Sequence, residues 1–240
     1  MQYMSGVSKE SPLQVATQLS FSELGREYKV PERVGIGSTA VDILLEILTA
    51  FPEIEQLFYG VYNVDRTSEE DIDFQEVKEL PKPITGKFLR KMADHITSNP
   101  PLDEIDKLLD GFERYKPFYA MGIVSRIKLT DGTYAHIPML DFGCEPTEEK
   151  LDDISKLMSS WSPGFVLNSG ASFHYWGFHL LKQEEWEKFL DYCSSEPLVE
   201  WGYIAACKRR RISVLRVFSH PPAKPIEPRV VKILRPDTPL

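Results

Sequence analysis

An α+β fold is predicted by three features of the sequence. Residues 133–206 read in order as strand, helix, strand, strand, helix and strand, the order of a split βαββαβ unit. Upstream, segments 38–51, 85–97 and 102–115 carry apolar residues at helical spacing, so the N-terminal part is expected to be mainly helical. Asp131-Gly132 separates two strand-like segments, and this is the dipeptide of a two-residue hairpin turn. Together these give a mixed sheet with helices on one face and a helical N-terminal part packed on it.

Residues 1–15 have no periodicity and are expected to be a flexible tail, residues 16–116 the mainly helical part, and residues 117–240 the α+β core with a basic C-terminal segment. In STAVDILLEILTAF, Val41, Leu44, Leu45 and Leu48 make one stripe, with Ser38 or Thr39 as cap and Pro52 as stop. LFYGVYNV (57–64) reads as a short strand and 65–80 as an acidic surface connection. Phe88, Leu89, Met92 and Ile96, then Leu102, Ile105, Leu109 and Phe112, mark two more amphipathic helices.

After Pro117 strands take over. MGIVSRIKLT and TYAHIPMLDF are expected to pair with Arg126 opposite Ile137. The split unit then runs through TYAHIPMLDF, the helix TEEKLDDISKLMSSW, the strands GFVLN and SFHYWGFHLL, the helix QEEWEKFLDYC and the strand PLVEWGYIA. RISVLRVF offers a further strand, and RVVKILRP, beyond the proline-rich SHPPAKPIEP, a last edge strand.

The 240 residues, 42% hydrophobic, are enough for a real core. No apolar run reaches membrane-spanning length and MQYMSGVSKE lacks the apolar heart of a signal peptide, so a soluble cytoplasmic protein with no membrane partner is expected. Cys144, Cys193 and Cys207 are odd in number and widely spaced, which supports no disulfide framework, zinc knuckle or iron–sulfur site; they read as free thiols. The net charge is −8, yet residues 201–240 hold nine basic residues against two acidic ones, a +7 pole that leaves −15 for the rest. Lys208, Arg209, Arg210 and Arg211 at its start are either a nucleic-acid contact or a solvated turn between strands.

Asp141 ends the first strand of the split unit, His174 heads the third and Glu200 the fourth. Two carboxylates and an imidazole meeting on one sheet edge suit metal-dependent phosphoryl chemistry. Each also has a plainer reading: Asp141 as cap of the helix starting near Thr147, His174 as a packed histidine, Glu200 as an ordinary edge residue. The Ser169-Gly170 turn lets backbone N–H groups approach an anion, and His174 can donate to a phosphate. His174, Trp176 and Phe178 share one strand face while Phe173, Tyr175 and His179 share the other, so His174 and His179 cannot both ligate one metal from this strand.

These segments resemble the archaeo-eukaryotic primase superfamily, the primase-polymerases, over about residues 120–235. Leu140-Asp141-Phe142 matches the first half of its acidic motif, Ser169-Gly170-Ala171-Ser172-Phe173-His174-Tyr175 its Ser-Gly-x-x-x-His turn, and Val199-Glu200 its third motif, with Arg211 to Val217 and Lys224 similar to the basic strand that follows. The resemblance implies an RRM-like core that performs metal-dependent nucleotidyl transfer. Asp141, Glu145 and Glu200 would hold Mg²⁺ or Mn²⁺, with Asp141, Glu200 and His174 as the catalytic set. Ser169, Gly170, His174, Arg216 and Lys224 would bind the nucleotide. Nucleoside triphosphates, a single-stranded DNA or RNA template and a helicase or other replication protein would be its partners. Gly143 stands where the family's second acid belongs, which leaves open an inactive member that binds nucleic acid or a partner in replication, repair or defence.

Overall fold

The structure, a computed structural model, describes residues 32–63, 82–84, 119–161, 163–219 and 224–235. The expected tail, the acidic connection 65–80 and the helices at 85–97 and 102–115 lie outside the described residues. What is described is an α+β arrangement of four helices and two sheets, in which every strand pair is antiparallel.

Helix α1 (Ala40–Ala50) begins at Thr39, whose hydroxyl accepts from the Asp42 amide at 3.2 Å while the Asp42 carboxylate accepts from the Thr39 amide at 2.7 Å. Its buried face is Ala40, Val41, Ile43, Leu44 and Ile47, rotated slightly from the expected stripe, so that Leu45 and Leu48 are only partly covered. Strand β1 (Ile54–Asn63) follows and lies between β2 (Lys82–Ile84) and β3 (Tyr119–Leu129). The other edge of β3 pairs with β4 (Tyr134–His136) and with β8 (Val214–Arg216).

The hairpin at Asp131-Gly132 forms one residue out of the expected register, with Arg126 opposite His136. Asp131 accepts from the Thr133 amide at 2.8 Å and Gly132 takes φ +83°, so a three-residue loop replaces the two-residue turn. The expected long strand TYAHIPMLDF is also divided. Pro138, which has no N–H to give a ladder, ends β4, and the chain crosses into the second sheet as β5 (Met139–Asp141). Two antiparallel sheets therefore replace the single mixed sheet.

The second sheet has the order β5-β7-β6-β9, built from β6 (Gly164–Asn168), β7 (Phe173–Gly177) and β9 (Arg229–Leu234). Helix α2 (Glu148–Met158), capped by Thr147, joins β5 to β6, and β7 lies antiparallel between them. Helix α3 (Gln183–Ser194) comes next. The expected fourth strand PLVEWGYIA does not form. It keeps one bridge, Val199 to Phe142, and then becomes helix α4 (Trp201–Arg210). The alternation Val199, Trp201, Tyr203 suggested a strand, but Ile204 and Cys207, three apart on one helix face, are buried in the second core.

Side-chain alternation on β7 puts Trp176 into a core shared with α1, β1, β3 and β8, and Phe173 and Tyr175 into a second core under α2, α3 and α4. The second sheet is thus covered on both faces. No helix among the described residues is long and apolar enough to cross a membrane.

Candidate functional site

Asp141 and His174 are direct cross-strand partners on β5 and β7. Their closest approach, Nε2 to Oδ1, is 3.6 Å, longer than a hydrogen bond. The Ser172 hydroxyl donates to Asp141 Oδ1 at 3.2 Å, so the aspartate is oriented from both its neighbouring strand and the turn that precedes it. It does not cap α2, because Thr147 has that role. His174 is buried, and its Nδ1 has no hydrogen-bond partner among the described residues. Burial, reinforced by the charges of Arg216 and Lys224, pushes its pKa down to about 3, so the imidazole is neutral near pH 7.

The turn from Asn168 to Ser172 is closed by its own groups. Ser169 donates from both its amide (2.9 Å) and its hydroxyl (3.0 Å) to the Ser172 carbonyl, and the Gly170 amide donates to Asn168 Oδ1 at 2.8 Å. The Ser169 and Gly170 N–H groups expected to face a phosphate are therefore taken within the turn. Gly170 has φ +99°, and a Cβ there would stand 2.9 Å from Ile226 Cβ, so only glycine fits.

Arg216, expected to neutralise phosphate charge, is 3% exposed and turned to backbone. Its guanidinium donates to the carbonyls of Ser169 (2.8 Å), Ile226 (2.8 Å) and Phe218, which ties β8 in the first sheet to the β6–β7 turn of the second. Its field still reaches His174. Sequence reasoning missed this holding role, because carbonyl acceptors leave no residue-type signal. Lys224 is half-buried and close enough to act on His174.

Glu200 precedes α4 and makes no side-chain cap bond. The Val199–Phe142 bridge and the Gly143 amide bond to the Leu198 carbonyl (2.9 Å) hold it beside the end of β5, where a Cβ on Gly143 would lie 3.4 Å from Glu200 Cβ. Glu145 is exposed, on the approach to α2. Among the described residues no three His, Cys, Asp or Glu side chains converge as a metal-holding group.

Lys208, Arg209, Arg210 and Arg211 form the last turn of α4 and its left-handed cap, not a turn between strands. Positive charge there complements the helix dipole. Lys208 pairs with Asp191 at 2.6 Å and Arg211 with Glu187 at 3.4 Å. The three cysteines are free thiols, as expected, and burial raises the pKa of each. The Ser125–His136 pair (3.0 Å) could be taken for a nucleophile and its base, but Ser125 accepts from the Ser213 amide, His136 also meets Gln183 at 3.0 Å, and the imidazole stacks on Trp186. It is a polar joint in the core.

Asp141 and a neutral imidazole are thus paired at one sheet end, beside a glycine turn clamped by Arg216. The family model for archaeo-eukaryotic primase 1D-like domains matches residues 104–228, more than half the chain, and the protein belongs to this archaeo-eukaryotic primase-like family. No curated protein and no solved structure matched the chain.

Proposed function

We propose that the protein binds nucleoside triphosphates at the Asp141–His174 end of the second sheet and transfers nucleotides to a primer strand on a single-stranded template. In that reaction the 3′-hydroxyl oxygen bonds to the α-phosphorus and pyrophosphate leaves. The observation that carries the reading is the pairing of Asp141 with a buried, neutral His174 inside the segment matched by the family. In this reading Asp141, with Glu200 alongside, would hold Mg²⁺ or Mn²⁺ together with the triphosphate oxygens, and the ion supplies charge neutralisation of the phosphates. Lys224 adds positive charge at the same place, and Arg216 keeps the Ser169-Gly170 turn in position. We read β5 to β7 with α2 and α3 as an RRM-like core whose fourth strand is reduced to the Val199 bridge.

A second reading has its own support. Gly143 in place of an acid, with Glu145 exposed, favours a member that binds nucleotide or nucleic acid without transfer. Primer extension with Mg²⁺ and with Mn²⁺, beside calorimetric titration with a nucleoside triphosphate, separates the two. Extension abolished by Asp141→Ala supports the enzyme, binding without extension supports the silent member, and the absence of both rejects the site.

A further inference from the structure

The chain has four tryptophans, and three of them are core residues: Trp161 is 4% exposed, Trp176 and Trp186 0%. Trp201 is 77% exposed. It opens α4 immediately after Glu200, which puts it at the end of β5 that carries Asp141. The buried residues of α4 are Ile204, Ala206 and Cys207, so Trp201, Ala205 and Lys208, at i, i+4 and i+7, form its outer stripe. The aromatic stands at the site end of that stripe and the basic turn Lys208–Arg211 at the other.

We propose that the outer face of α4 is a ridge for single-stranded nucleic acid, on which Trp201 stacks an unpaired base next to Asp141 while the basic turn receives the backbone. This rests on the reading of the site as a nucleotide site and adds to it the path by which the strand arrives. A helix of this length, about 15 Å, accommodates about three or four nucleotides. Every base has a face to stack, so one indole suffices without sequence preference. A protein hot spot would sit in a well-packed pocket ringed by contacts that exclude water. Here the ring is flanked by Glu200 and Gly202, and its stripe continues with Ala205 and Lys208. The exposed Lys208–Asp191 pair is weak enough for a phosphate to displace.

All four tryptophans emit, but only Trp201 is exposed to a ligand, so a quench that is absent in Trp201→Ala is assigned to it. Titration of the full chain with a short oligo(dT) is expected to quench the emission, while inorganic triphosphate is expected to leave it unchanged. In anisotropy with a labelled oligo(dT), Trp201→Ala should weaken binding between about five- and a hundredfold, and Trp201→Phe should retain it within about twofold. An exposed side chain can be removed without unfolding the protein, and an unchanged melting temperature checks this. Oligonucleotide binding with no quench and no effect of Trp201→Ala overturns the ridge and leaves the nucleotide site standing, as does nucleotide binding without oligonucleotide binding. If neither ligand binds, both fail. If Trp201→Ala alters only sedimentation, the indole covers a protein contact and the proposal is overturned.

Discussion

Gly143 decides how much charge the site can gather. Its backbone is not among those at positive φ, so a side chain is conformationally allowed there. A Cβ would meet Glu200 Cβ at 3.4 Å, an ordinary contact, which means that an added carboxylate would stand beside Glu200 and two residues along from Asp141. Gly143→Asp is therefore expected to tighten Mn²⁺ binding by about tenfold, a typical effect of one more oxygen ligand placed in reach. Calorimetric titration of the two proteins checks it, and Asp141→Ala in the variant background should remove the gain. Equal Mn²⁺ affinity in both proteins would show that position 143 does not face the ion. At this scale the sequence was informative where neighbours follow from strand order: Asp141 and His174 are cross-strand partners. It was silent on Arg216, whose partners are carbonyls.

Among the elements, α4 shows why the expected strand failed to form. Period-two alternation over Val199, Trp201 and Tyr203 is a short signal, and the helix wins because it turns Ile204 and Cys207, three residues apart, onto the second core. Pro138 was visible in the sequence, but whether a proline ends a strand or turns it into another sheet depends on what lies beyond, and residue type does not encode that. The hairpin slipped by one residue for a related reason, since Gly132 at φ +83° and the Asp131 side chain select the loop length together. Helix α4 ends in Arg211 at φ 59°, a left-handed conformation that costs an L-residue roughly 1 kcal/mol and glycine almost none. Its ion pair with Glu187 is exposed and contributes little. Arg211→Gly is expected to stabilise the protein by a few tenths to about 1 kcal/mol, read as a higher denaturant midpoint at unchanged slope. A lower midpoint would mean that the cap is held by contacts of the arginine side chain.

Across the whole molecule, two cores share one sheet, and histidines outside the site are sealed into them. His136 has its pKa pushed down to about 4 by burial first, with Arg126 and Arg211 adding to the shift and the Gln183 bond and Glu187 opposing it. His179 is also at about 4, again through burial, against a hydrogen bond that its ring donates to the Pro163 carbonyl. In the unfolded chain both titrate near 6.5. Above that pH neither state binds the extra proton, and the stability they permit is fully present. Between 6.5 and 4 the unfolded chain takes up protons that the folded one refuses, so stability falls as pH falls. The limit is about 1.4 kcal/mol per pH unit for each histidine, near 3 kcal/mol for the pair. Relief of repulsion in a chain of net charge −8 works the other way, so the total slope is a difference of opposing effects. Denaturant unfolding at pH 7.5, 6 and 5 should show the decline, and His179→Gln, which cannot titrate, should reduce the slope by up to 1.4 kcal/mol per pH unit. A slope that the substitution leaves unchanged would mean that His179 charges without opening the core, and its place between β7 and the Pro163 backbone would then be a solvated one.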